Sequence, residues 1–129
     1  MKSFKKSILA LGVALGVICS VSGAAFALTS LSGTLSGYKY SASCSITNGD
    51  ARAYTYYAGS GAASVVATYT MVQRSTNIIK KVTRTSGSYG SASIIFDAPL
   101  DYRSRSITCT HTVTAADCSW KGKTSAYFG

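Results

Sequence analysis

The chain has 129 residues, and its 13 lysines and arginines against four acids give a net charge of +9. Nine tyrosines, a single proline, abundant Ser, Thr and Val and no glutamate disfavour sustained helices and favour pleated strands. Lack of Glu also weakens any case for paired-carboxylate glycoside hydrolysis, and no nucleotide-binding loop or nucleophile elbow is present.

The first 27 residues read as a secretory signal peptide. Lys2, Lys5 and Lys6 form a basic start, Ile8 to Ile18 an apolar run, and Ala25-Phe26-Ala27 a small-x-small cleavage site, so cleavage is expected after Ala27. No charge interrupts Ile8 to Leu28, and about twenty apolar residues span a bilayer. The Gly and Ser content and the Ala-x-Ala ending nevertheless favour cleavage over an anchor. Lipid attachment at Cys19 is set aside because the preceding Ile18 is not small. The expected product is one secreted, extracellular domain, 28–129, with no later apolar stretch long enough for a membrane helix. Ten basic residues against four aspartates leave it near +6.

Period-two alternation then predicts strands in chain order. Leu28 to Gly37 gives a short, weak strand through Leu31 and Leu35. In Tyr38 to Thr47, Tyr38, Tyr40, Ala42, Cys44 and Ile46 share one face and Lys39, Ser41, Ser43, Ser45 and Thr47 the other. Asn48-Gly49 predicts a type I′ hairpin in which Thr47 pairs with Asp50, Cys44 with Ala53 and Tyr40 with Tyr57. That register puts Arg52, Tyr54 and Tyr56 outward beside the serines. Further strands are expected over Ala63 to Arg74, Ile78 to Thr85, Ser91 to Ala98 and Tyr102 to Thr114. Their joints are the turn-rich segments Ser75-Thr76-Asn77, Ser86-Gly87-Ser88, Pro99-Leu100-Asp101 and Ala115-Ala116-Asp117. Cys118 to Phe128 alternates again. Seven or eight strands at this spacing predict an all-β fold, a small antiparallel β-sandwich. A transmembrane barrel also alternates, but the chain is short for eight spanning strands and turns.

Three cysteines follow the signal: Cys44, Cys109 and Cys118, each on a predicted inward face. The last hairpin is expected to set Val113 opposite Cys118, His111 opposite Trp120 and Cys109 opposite Gly122. That places Cys109 and Cys118 farther apart than the roughly 7 Å a disulfide tolerates between Cα atoms. The expected bridge is therefore Cys44 with Cys109 or with Cys118, closing a loop for roughly 4 kcal/mol and leaving one buried thiol. Three cysteines and one histidine without Cys-x-x-Cys spacing give no zinc motif. No metal or other cofactor is expected.

His111, the only histidine, alternates with Cys109 and Val113 and reads as a structural, hydrogen-bonded side chain rather than a general base. The four aspartates fall mostly in expected turns. A non-enzymatic binding module is the better expectation, with Arg52, Tyr54 and Tyr56 as an aromatic surface beside a cation. The competing role for these tyrosines is cross-strand packing within the sheet. Arg74, Lys80, Lys81 and Arg84 form a second cluster, and Arg103, Arg105, Lys121 and Lys123 lie on the last two strands. Such charge favours an anionic cell-wall polymer, an acidic glycan or an envelope surface as partner, ahead of nucleic acid, with plain solubility as the competing role.

An export signal followed by a basic, Tyr/Ser/Thr/Gly-rich β domain ending in Ser125-Ala126-Tyr127-Phe128 resembles the layout of small secreted bacteriocins of the sandwich type. The resemblance implies an alternative function: an antibacterial protein drawn to anionic envelopes.

Overall fold

Alternation of small or apolar side chains with hydroxyl-bearing ones gives each segment one face to bury and one to hydrate, and eight segments form strands. They are β1 (Ser30–Leu35), β2 (Tyr38–Ile46), β3 (Asp50–Tyr57), β4 (Gly61–Gln73), β5 (Ile79–Tyr89), β6 (Ser91–Asp97), β7 (Tyr102–Ala115) and β8 (Ser119–Tyr127). The computed structural model describes residues 29–129, and no helix occurs among the described residues. The expected signal peptide, with its expected cleavage after Ala27, lies outside them. Two four-stranded sheets result, in the orders β1-β2-β3-β6 and β5-β4-β7-β8, with every neighbouring pair antiparallel. The fold is all-β, as the alternation predicts.

The two sheets share one core. The first contributes Cys44, Ala51, Ala53, Ile94 and Phe96, and the second Val65, Tyr69, Met71, Ile107 and Cys109. Small side chains on β2 and β3 leave room for the larger ones opposite, the large-against-small matching that close packing demands. Tyr69 and Phe96 meet at 5.2 Å between ring centroids. A second cluster, Tyr40, Tyr57 and Val113, closes the far end, with Trp120 stacked on Tyr40 at 4.3 Å.

The β2–β3 register is as expected: Cys44 pairs with Ala53, Tyr40 with Tyr57, and the Thr47 amide bonds the Asp50 carbonyl at 2.8 Å. The turn itself is not type I′, because neither Asn48 nor Gly49 has a positive φ. Tertiary bonds reshape it: Ser104 donates its amide to the Asn48 carbonyl and Ala98 to that of Gly49, both at 2.9 Å. The Thr47 hydroxyl accepts the Gly49 and Asp50 amides from within and donates to the Asp50 carboxylate. Paired positive φ values occur instead at Ser36 (52°) and Gly37 (82°), where β1 turns into β2.

Ser86-Gly87-Ser88 is not a turn either. It runs inside β5, with Gly87 paired to Ser64, because the 13-residue β4 offers an unbroken ladder that outweighs local turn propensity. The break comes at Gly90, φ 85°, where the chain leaves one sheet for the other and its carbonyl accepts the Tyr57 amide. Arg84 spans the same edge: its guanidinium donates to the Ile95 carbonyl at 2.9 Å and lies 5.1 Å over the Phe96 ring.

The last hairpin is displaced by two residues from its expected register. Val113 pairs with Trp120, His111 with Gly122 and Cys109 with Thr124. The inward face survives the slip because its period is two. Gly122 explains the choice: Trp120 folds across it to reach Tyr40, into space that any Cβ at 122 would fill.

Candidate functional site

On β3 the inward set Ala51, Ala53, Thr55 and Tyr57 is buried, so the pleat sends Arg52, Tyr54 and Tyr56 outward. All three expected surface residues therefore share one exposed face. Each has short neighbours on β2: Ser45 beside Arg52, Ser43 beside Tyr54 and Ser41 beside Tyr56. On β6 the corresponding neighbours are Ile95, Ser93 and Ser91. The two tyrosine rings, 41% and 40% exposed, stand above serines on both sides. Among the described residues no ring contact involves either of them, so the cross-strand aromatic packing that competes with a binding role has no aromatic partner here. Charge on the strands of this sheet is balanced: Lys39 and Arg52 against Asp50 and Asp97.

The outer face of the other sheet differs. Its four strands hold seven of the ten described basic residues and no acid at all. Along β7, Thr108, Thr110, Thr112 and Thr114 point outward at every second position, beside β4 side chains no larger than Val66. Lys121 and Lys123 on β8 lie opposite Thr112 and Thr110. Lys81 faces Thr70 on the opposite border. At the far end Thr70 and Met71 pair with Ser106 and Ser104, leaving Arg105 as the extra, exposed residue of a bulge. Arg84, by contrast, is spent on the edge contact with β6. The Thr-x-Thr run was visible in the sequence. What local pattern could not show is that β4 pairs with β7, which sets Ser64, Thr68 and Thr70 alongside that run.

His111 is completely buried and hydrogen-bonded at both ring nitrogens, to Thr55 Oγ1 at 2.7 Å and Thr124 Oγ1 at 2.6 Å. Thr55 gives its own proton to the Ser64 carbonyl at 3.1 Å, so it accepts from an Nδ1–H, and Thr124 donates to Nε2. Desolvation lowers the imidazole pKa to about 4. The ring is a neutral tie joining β3 and β4 to β7 and β8, with both nitrogens engaged. Tyr69 and Ser104 make a second buried hydroxyl pair. Asp117 is exposed; its carboxyl is held below the usual range by the Ser36 hydroxyl and by Cys118.

No disulfide is formed in this structure: Cys44, Cys109 and Cys118 are all free thiols. Cys44 and Cys109 are buried and face each other from the two sheets. Their shared hydrogen bond eases loss of the Cys44 proton and, together with burial, holds the Cys109 proton on. Cys118 is not inward as expected. It precedes β8 in an exposed turn, 3.1 Å from the Ser36 hydroxyl, so it is no partner for Cys44. Among the described residues no three His, Cys or acidic side chains converge to hold a metal ion.

Comparison with protein-family profiles, with curated proteins and with solved structures finds no match to this chain.

Proposed function

We propose that the chain is exported, loses residues 1–27, and acts as a non-enzymatic binding module on a two-sheet sandwich, with Arg52, Tyr54 and Tyr56 as its glycan-binding face. The observation that carries this reading is the pair of half-exposed rings standing above serines on both flanking strands. An isolated tyrosine on a rigid strand offers a stacking surface at low conformational cost and a hydroxyl for hydrogen bonding. Strand pitch sets the two Cα atoms about 6.8 Å apart, and Arg52 extends the row with a donor fork suited to an acidic substituent. The double variant Tyr54→Ser/Tyr56→Ser should lose at least tenfold in retention on insoluble wall or glycan preparations while keeping its circular dichroism spectrum. Full retention would sink the assignment.

Of the two expected bridges only Cys44 with Cys109 keeps a geometric basis, both thiols being buried and facing each other, and neither is bridged in this structure. A disulfide-bearing oxidant would take their two electrons and two protons, whereas Cys118 stays apart at the surface. A second reading, an antibacterial protein drawn to anionic envelopes, draws on the concentration of cations on one sheet. It predicts growth inhibition that weakens with salt, and no inhibition of any strain at micromolar protein would discard it.

A further inference from the structure

The β5-β4-β7-β8 sheet has an outer face that the tyrosine surface does not explain. From Thr108 to Thr114 its two central strands carry only short outward side chains, among them the column Thr108, Thr110, Thr112 and Thr114, with Arg105 beyond them at the bulge. The β8 border carries the long Lys121, Lys123 and Tyr127, whereas on the β5 border Lys81 and Tyr89 flank the short Thr83, Thr85 and Gly87. The outcome is a shallow trough walled along β8 and open towards β5, with a floor of mainly hydroxyl side chains broken by Ala62 and Val66. At strand pitch its five paired rows run about 27 Å, and three inter-strand spacings set its width at about 14 Å. These dimensions suit a linear polymer lying along the strands.

We infer that this trough binds a linear acidic polysaccharide, with sugar hydroxyls on the threonine floor and anionic groups on the Lys121–Lys123 rail. Three observations support that occupant. No acidic residue lies on any of the four strands, Asp101 and Asp117 being confined to the turns at the two ends of β7. The hydroxyl groups both donate and accept, matching polyol chemistry rather than a simple counter-charge. The floor has no aromatic ring, with Tyr89 and Tyr127 only at opposite corners of the outer strands, so it lacks the stacking platform on which single-stranded nucleic acid depends. Lys121 and Lys123 are two residues apart on an edge strand, which presents their ammonium groups at a regular interval along the trough.

The full secreted protein tested on immobilised polygalacturonate, neutral dextran and single-stranded DNA provides the decisive comparison. Polygalacturonate should retain the protein in a salt-sensitive way and dextran should not. Lys121→Gln/Lys123→Gln should weaken retention at least tenfold and flatten its dependence on salt, because two fewer counterions are released. Thr110→Val/Thr112→Val, nearly isosteric and at the surface, should weaken it a few-fold and leave the salt dependence as it was. Tyr54→Ser/Tyr56→Ser should change nothing here, which separates this site from the proposed glycan face. Equal or tighter binding to DNA, or threonine variants indistinguishable from the parent, would reduce the trough to a patch of undirected positive charge and overturn the inference.

Discussion

The two outer faces are built by the same device, a period-two strand with its apolar set turned inward, yet they sort opposite chemistries. The β1-β2-β3-β6 face has two cations and two anions on its strands, with two tyrosines standing over serines. The β5-β4-β7-β8 sheet has seven cations and no anion on its strands, with Lys80 and Arg84 lying over the Tyr102 and Phe96 rings rather than on the outer face, and a threonine row along β7. A charge spread only for solubility would have no reason to avoid one sheet. Asp50 and Asp97 lie on the first sheet and Asp101 and Asp117 in the turns at the two ends of β7, so the strands of the second sheet carry cations alone, and one-sided fields orient a protein on a polyanion. One face has shape with little net charge and the other has charge with little relief. This contrast teaches that the +6 of the described domain is not a property of the whole surface.

Anything that damages the shared core should erase the contrast, and this is where the largest effect is expected. Phe96 is buried at the centre, against Tyr69 and beneath Arg84. Phe96→Ala should cost about 3–5 kcal/mol in urea unfolding, and retention through both faces should vanish together as the protein unfolds. If only one face lost its ligand, the sheets would be less interdependent than their common core implies.

A pH titration turns the comparison to the core that the two faces share, through its one buried imidazole. His111 has its pKa lowered to about 4 in the folded chain, against about 6.5 in an unfolded one. Below 6.5 the unfolded state takes up a proton that the folded state refuses. Stability should therefore fall by up to about 3 kcal/mol between pH 6.5 and pH 4 and level off below that. His111→Gln should lower stability at neutral pH but remove most of this slope. A parent-like slope in the variant would mean that another group carries the linkage.

Alternation made the strands legible because each buried face had to be written into every second residue. It also fixed which way Arg52, Tyr54 and Tyr56 point, since no slip of two residues can change that. The same insensitivity explains the error in the last hairpin: both registers bury Cys109, His111 and Val113, and only the Trp120–Gly122–Tyr40 contact distinguishes them. Sheet membership was not legible, because β6 joins β3 and β7 joins β4 across long sequence separations. The partners of His111 left a faint trace. Thr55 and Thr124 are inward positions that interrupt apolar runs, and an inward hydroxyl needs a partner.

Thiol reactivity compares the interior with the exposed end of the last hairpin. Maleimide applied to the native protein should modify Cys118 alone, since Cys44 and Cys109 are buried between the sheets. After denaturation without reductant, one reactive thiol would indicate the Cys44–Cys109 bridge and three would indicate its absence. Rapid native labelling of Cys44 or Cys109 would contradict the closed core.

The smallest effects separate the two hairpin turns of the first sheet, which sequence ranks in the wrong order. Gly37 sits at φ +82°, where a side chain strains the backbone even though nothing crowds it, so Gly37→Ala should cost about 1 kcal/mol. Gly49 has open space and no positive φ. Its conformation is set by the carbonyl bonds from Ala98 and Ser104 rather than by glycine's freedom. Gly49→Ala should therefore stay within about 0.5 kcal/mol of the parent, and by narrowing the unfolded ensemble it has reason to be slightly stabilising. Paired denaturant curves measure both. A larger loss at Gly49 than at Gly37 would restore the type I′ expectation for Asn48-Gly49 and with it a different path for Ala98 after β6 and Ser104 within β7, whose amides bond this turn.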